Sequence, residues 1–268
     1  MLTACSRGVT SYLAELWSYR YFWMNLVKAE LQRRYRRSLF GLGWSLFQPL
    51  SMTVVLGIVY HRLFDISFWD FAPLLLCGLA FWTMVSQAIF RGCESLVNSE
   101  SYIRQQPLPL AMFPLRSVLT SGFHFLVSLG LTLLLVWPYQ MVFYPLALLS
   151  LVPTLVLLFV LCWALAVLAG FSHAYFPDTQ HLAEVGMQVL MFLTPVMYPP
   201  SMLEKGGMGW LLTWNPLATL LEMVRAPILR GEVPDLATYG LAALIVGVPA
   251  GFAAWVLAKL EDRVIFVL

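Results

Sequence analysis

Residues 30–50 read ELQRRYRRSLFGLGWSLFQPL, and this stretch decides the fold. Four arginines in five positions, Arg33, Arg34, Arg36 and Arg37, are followed at once by residues 38–60, which carry no charged side chain. As a helix rising 1.5 Å per residue, such a run spans the roughly 30 Å hydrocarbon core of a bilayer. The chain is therefore leaving a charged aqueous interface and entering lipid. The bias of basic residues toward the cytoplasmic side places the start of the run there.

Composition agrees. Of 268 residues 60% are hydrophobic and 11% charged, against about 25% charged in soluble domains. Mean hydropathy is +0.78, so lipid is the main solvent. A net charge of +2, with few basic residues beyond the amino-terminal third, argues against nucleic acid, which needs a distributed basic surface. Cys5, Cys77, Cys93 and Cys162 show no metal-ligand spacing and read as structural, three of them in or beside apolar runs where cysteine packs as a small hydrophobe. Residues 1–30 contain Glu15, Arg20, Lys28 and Glu30 and read as lacking a removable targeting segment.

Upstream of the arginines, residues 11–37 are expected to form an amphipathic helix along the membrane, with Leu13, Trp17, Tyr21, Met24, Leu31 and Tyr35 as its apolar stripe. A water-exposed helix is the alternative. Downstream, the first span covers about 43–60, where Pro49 is expected to bend or restart it. The second covers 71–90. Residues 117–177 lack charge and divide at the aromatic-rich WPYQMVFYP, giving spans at 117–137 and 147–172. A fifth span, 185–198, is short and ends in LTPVMYPPSML. The sixth is 236–258, with Gly247 and Gly251 as a small-residue pair for close helix contact.

Between the last two spans, residues 199–235 hold apolar but proline-broken pieces, expected as re-entrant helices on the outer side. An outer loop with interfacial helices is the alternative. Residues 98–114, with Pro107, Pro109 and Pro114, read as an inner loop. The expected fold is an all-α integral membrane protein: one transmembrane domain over 1–268, six transmembrane helices, an amino-terminal interfacial helix and the re-entrant segment. This assignment puts twelve basic residues inside and four outside, so both termini are expected in the cytoplasm.

Within the six spans His124 is the one titratable candidate apart from tyrosine and cysteine, and a lone histidine among phenylalanines reads as packed. His173, Asp178, His181 and Glu184 read as a polar inner loop rather than a metal site. No GxxxxGK[ST] loop is present, so an ATP-driven cycle needs a partner. Ion coupling would expect a charge near the midplane. Absent paired polar residues disfavour a membrane enzyme; a channel needing no ATPase stays open. The aromatics Phe47, Tyr60, Phe81 and Tyr198 are candidates for lining a path, since rings stack on the C–H faces of sugars.

The order of these features resembles the membrane subunit, or permease, of ABC exporters of the second permease class, in particular those for O-antigen, capsular polysaccharide or teichoic acid. The likeness is carried by RYRRSLFGLGWSLFQPL at 34–50, by Asn98, Arg104, Pro107 and Pro114, by FPDTQH at 176–181, by LTPVMYPPSML at 193–203 and by WNPLATLLEMVR at 214–225. Gln48 stands where Asn or Glu is usual, and Pro177 where Arg or another polar residue is common.

The resemblance implies a homodimer working with two copies of a separate ATPase, with ATP and Mg on that partner and no cofactor or catalysis on this chain. It implies a lipid-linked glycan moved from the cytoplasmic side across a bacterial inner membrane. O-antigen is foremost; capsule, teichoic acid, lipo-oligosaccharide and small drugs are alternatives. Arg33, Arg34, Arg36, Arg37, Ser101, Arg104, Gln105 and Pro107 are then the expected ATPase-coupling residues, although the arginines alone also suit topology anchoring. Asp178 and His181 form a cytoplasmic-loop motif, and Trp214, Asn215, Pro216 and Arg225 belong to the outer re-entrant segment. The first and fifth spans are expected beside the conduit at the dimer interface.

Overall fold

The computed structural model describes residues 9–35, 43–140 and 145–268, and every regular element among them is helical. The stretch expected as one helix over 11–37 is two, α1 (Val9–Ser18) and α2 (Arg20–Tyr35), broken at Tyr19. Across the break the Trp23 indole donates to the Leu16 carbonyl at 3.2 Å. Leu16 and Trp23 are buried, whereas the stripe of Leu13, Trp17, Tyr21 and Met24 is exposed. The pair is thus apolar on two faces. One packs on protein, and the other is left for an apolar environment such as the headgroup boundary.

Helix α3 (Gly43–Phe64) continues through Pro49 without restarting. Among its described residues only Thr53 and Gly57 are buried, while Phe47, Val55, Ile58 and Leu63 are exposed. Next come α4 (Phe68–Val97), the short α5 (Glu100–Gln105), α6 (Met112–Gln140) and α7 (Pro145–Tyr175). Then follow α8 (Thr179–Leu193), α9 (Pro200–Lys205), α10 (Trp210–Trp214), α11 (Pro216–Arg225), a π-helical turn at Ala226–Arg230 and α12 (Leu236–Val264).

Among the described residues four helices are long and apolar enough to cross a bilayer: α4, α6 over Met112–Val136, α7 and α12. They contain the second, third, fourth and sixth expected spans. Several overrun them because backbone hydrogen bonding does not stop where lipid does. Arg91 and Glu94 lie inside α4, and Glu261 and Arg263 inside α12. Neither α3 nor α8 is among the four. With 15 residues, α8 is about 22 Å long, shorter than the hydrocarbon core. It stops at Thr194, just before Pro195, since a residue preceding proline is pushed out of the helical region.

Helix α4 is the centre of the bundle, packed mainly by α6 and α7 and flanked by α3 and α8. Its crossing with α7 depends on small residues: a Cβ on Gly92 would lie 2.6 Å from Ala166 Cα, and one on Gly170 would lie 2.8 Å from the Gly92 carbonyl oxygen. Close backbone approach of this kind is how membrane helices gain packing without a hydrophobic driving force. The expected pair, Gly247 and Gly251, does not serve so within the chain, because a Cβ at either position meets nothing within 4 Å. Cys77, Cys93 and Cys162 are free and buried, and His124 is buried with its ring edge-on to Phe123.

Candidate functional site

Polar side chains gather at the two ends of α4. One end, shared with α1, α2, α5 and the last turns of α12, is the terminal face. There Glu30 of α2 sits between two arginines: Oε1 is 3.0 Å from Arg91 Nη1 of α4, and Oε2 is 3.1 Å from Arg116 Nε of α6. Arg91 also donates from Nε to Gln87 Oε1 at 3.0 Å. One carboxylate therefore ties α2 to two long helices. The three side chains keep 26%, 25% and 17% of their exposure, so each pair is worth at most about 1 kcal/mol.

A second knot is built on Glu261 of α12. Its Oε1 accepts from the Tyr12 hydroxyl at 2.8 Å and from the Leu110 amide at 2.6 Å. The Tyr12 oxygen accepts from the Ala111 amide at 3.3 Å, and the Ala111 carbonyl from the Trp163 indole at 3.1 Å. Burial, and then the adjacent Glu261 carboxylate, push the Tyr12 phenol far above its ordinary range, so it stays a donor. The segment after α5 is thereby fastened to both ends of the chain's helical order.

Between these knots α5 presents an outward face. Ile103 is buried, whereas Ser101, Arg104, Gln105 and Pro107 are exposed. Arg104 Nε pairs with Glu100 Oε1 at 2.7 Å, and Tyr102 meets Phe22 of α2 edge-on at 6.0 Å between centroids. The structure thus brings the expected loop residues and the amino-terminal helices side by side. Arg33 is exposed on α2 and Arg34 belongs to the same helix; Arg36 and Arg37 fall outside the described residues. Sequence reading missed Glu30, Arg91, Arg116, Tyr12 and Glu261 as a set. Glu30 opens the decisive stretch, yet its partner Arg91 lies 61 residues away, beyond any local pattern.

In the polar loop Asp178 is exposed at the start of α8, making no side-chain cap there. His181 is exposed with Nδ1 3.7 Å from Glu184. Gln180 donates to Glu94 at 3.3 Å, linking α8 to the end of α4.

At the far face α11 holds the end of α8 at two points. Asn215 caps α11, accepting from the Leu217 amide at 3.0 Å, while its Nδ2 donates to the Leu193 carbonyl at 3.2 Å and to Thr194 Oγ1 at 2.8 Å. Pro216 occupies the first helical turn, where a missing N–H is harmless, and Trp214 is exposed. Arg225, 1% exposed, donates to the carbonyls of Pro195 at 2.5 Å, Val196 at 2.7 Å and Leu74 of α4 at 3.1 Å. Three backbone carbonyls thus stand in for water around a buried guanidinium. Gly78 makes room: a Cβ there would lie 2.3 Å from the Val196 oxygen and 2.4 Å from Arg225 Nη2.

The four expected path aromatics separate. Phe47 is exposed on α3. Tyr60 stacks on Phe71 at 4.5 Å and lies within electrostatic reach of Tyr198, whose hydroxyl donates to the Phe192 carbonyl at 2.6 Å. Phe81 is 0% exposed and packs in the main core of the chain.

Residues 21–229 match the family model for the ABC-2 type transporter. The chain belongs to this family. The matched region runs from α2 into the π-helical turn, taking in Glu30, α5 and the Arg225 clamp but neither Tyr12 nor Glu261. An O-antigen export system permease protein RfbA of Myxococcus xanthus is 27% identical over 229 residues, covering 82% of this chain and 85% of the relative. One from Klebsiella pneumoniae is 22% identical over 208 residues, covering 77% and 79%. A polysialic acid transport protein KpsM of Escherichia coli is 26% identical over 230 residues, covering 81% and 87%. As an ABC-2 transporter chain this is a multi-pass membrane transport subunit, in keeping with its four long apolar helices.

Proposed function

We propose that the chain is the membrane subunit of an ATP-driven exporter that moves a lipid-linked polysaccharide, of O-antigen type, from the cytoplasmic side across the bacterial inner membrane. The relatives' names support the substrate class, and family membership supports a separate ATPase carrying ATP and Mg. Capsular polysaccharide is the second reading, favoured by the polysialic acid transporter. In this reading α3 and α8 add two crossings to the four, making six, the terminal face is cytoplasmic, and α9 to α11 form the re-entrant segment.

The observation that carries the coupling mechanism is the exposed α5 beside α2, joined through Glu30 to α4 and α6. Two ATPase copies press on α5 and on Arg33, Arg34, Arg36 and Arg37 in a homodimer. The push reaches Arg91 and travels along α4 to Leu74, 17 residues or about 26 Å away, where Arg225 holds α8 and α11. Two packed copies that slide or rotate about such a rod open a conduit without catalysis by this chain. The outward faces of α3 and α8, with Phe47, Val55, Val185 and Phe192 exposed, form the dimer contact and conduit wall, and Tyr60 and Tyr198 stand at its outer end.

Deleting the gene and analysing glycans tests this reading. Finished lipid-linked polymer should accumulate inside and vanish from the surface, and the wild-type chain should reverse both. Unchanged surface glycan refutes it.

A further inference from the structure

Beside the Arg225 clamp, α9, α11, the π-helical turn and the start of α12 surround an open cleft of about 680 Å³, within the roughly 300–1,000 Å³ typical of small-ligand sites. Part of its lining is rigid and apolar, supplied by Pro195, Pro199 and Pro200. The rest is polar. Arg230 of the π-helical turn pairs through Nε with Glu232 at 2.7 Å and through Nη2 with Glu222, and all three line the cleft. The guanidinium holds the two carboxylates in place, and its single positive charge is more than offset by their two negative ones. Each carboxylate keeps lone pairs for further donors. Glu204, also in the lining, forms no ion pair among the described residues. Three carboxylates against one guanidinium give the lining a formal charge of −2.

Such a cleft suits a ligand that is rich in O–H or N–H donors, has C–H faces to lay on proline, and carries no negative charge. We propose that it is a docking site for saccharide units of the exported polymer, taking neutral and amino sugars and rejecting acidic ones. The proposal rests on the polysaccharide-export reading and narrows it. Sialic acid units each bear a carboxylate, which the fixed carboxylates of Glu222 and Glu232 repel at close range, so the cleft sides with a neutral or amino-sugar polymer.

The test uses the complex of this chain with its ATPase in lipid nanodiscs and measures binding of mannotriose, glucosamine trimer and trisialic acid by ligand-observed NMR. The first two should bind, and trisialic acid should bind at least about tenfold more weakly. Glu204→Ala should weaken glucosamine-trimer binding about threefold or more, Glu204→Lys should lift the rejection of trisialic acid, and Thr219→Trp should fill the cleft and abolish binding. Equal binding of trisialic acid, no binding of any trisaccharide, or unchanged binding by both Glu204→Ala and Thr219→Trp overturns the proposal. Complementation of the deletion separates the two readings. If wild type restores surface polymer and cleft variants that bind no sugar export at the wild-type rate, the cleft proposal falls and the export reading stands. If deletion leaves surface glycan unchanged, both fall.

Discussion

The two ends of α4 are held by different chemistry. At the terminal face side chain meets side chain, with Glu30 between Arg91 and Arg116, and these groups are 17–26% exposed. At the far face side chain meets mainly backbone, with Asn215 and Arg225 gripping the carbonyls of residues 193, 195 and 196, and both are buried. Water can replace either partner of a partly exposed ion pair at small cost. It cannot reach a buried arginine whose two terminal nitrogens already donate to carbonyls. The terminal face is therefore the softer end, and the far face the end that holds its shape.

The strongest way to break this contrast is at Arg225. Arg225→Met should cost about 3 kcal/mol, since three carbonyls lose their donor and a void opens, seen as lower thermal stability in detergent together with loss of export. Gly78→Ala should cost about 1–3 kcal/mol by pushing into the same guanidinium. The double variant should lose less than the sum, because both act on one contact; a strictly additive result separates Gly78 from the clamp.

Glu30→Ala sharpens the other half. Its stability loss should stay near 1 kcal/mol per ion pair or below, yet export should fall roughly tenfold while ATPase activity and insertion persist. If thermal stability collapses as it does for Arg225→Met, the terminal face is no softer than the far face. Charge reversal at Arg34 and Arg36, or replacement of Arg104, should likewise stop export in a well-inserted protein; normal export would remove α2 and α5 from the coupling path.

A smaller effect belongs to Tyr12→Phe, which strips the Ala111 amide of its acceptor and Glu261 of one donor, for about 1 kcal/mol. The smallest is at Asp235, the cap of α12, which accepts from the Thr238 hydroxyl and amide. These bonds, the hydroxyl's first, hold its carboxyl below the usual carboxylate range. The stabilisation is whole above the unfolded carboxylate pKa and is lost as pH falls through the lowered folded value. Asp235→Ala should abolish that acid-limb dependence with only a slight drop in melting temperature at neutral pH.

Much of this was legible in the residues. Uncharged runs bounded by Arg91, Pro177 and Lys259 mark α4, α6, α7 and α12. WNPLATLLEMVR was readable as an outer motif, but not the fact that its first asparagine and last arginine both close on LTPV. The break at Tyr19 was hidden because Trp17 and Tyr21 suit one exposed stripe while Leu16 and Trp23 suit another, and a single periodicity cannot serve both. Gly247 and Gly251 looked like the close-contact pair, yet Gly92 and Gly170 fill that role, because spacing says nothing about which helix passes nearby. Phe81 and Phe47 look alike in sequence; burial alone makes one core and the other surface.

By itself the sequence determined which segments leave water, because the transfer of apolar side chains into lipid is local and adds along the chain. Only the tertiary structure decided which polar atoms satisfy one another: Glu30 with Arg91 and Arg116, Glu261 with Tyr12 and Leu110, Arg225 with the carbonyls at 74, 195 and 196. Hydrogen bonds and ion pairs depend on distances of about 3 Å between groups far apart in the chain, and folding alone sets those distances.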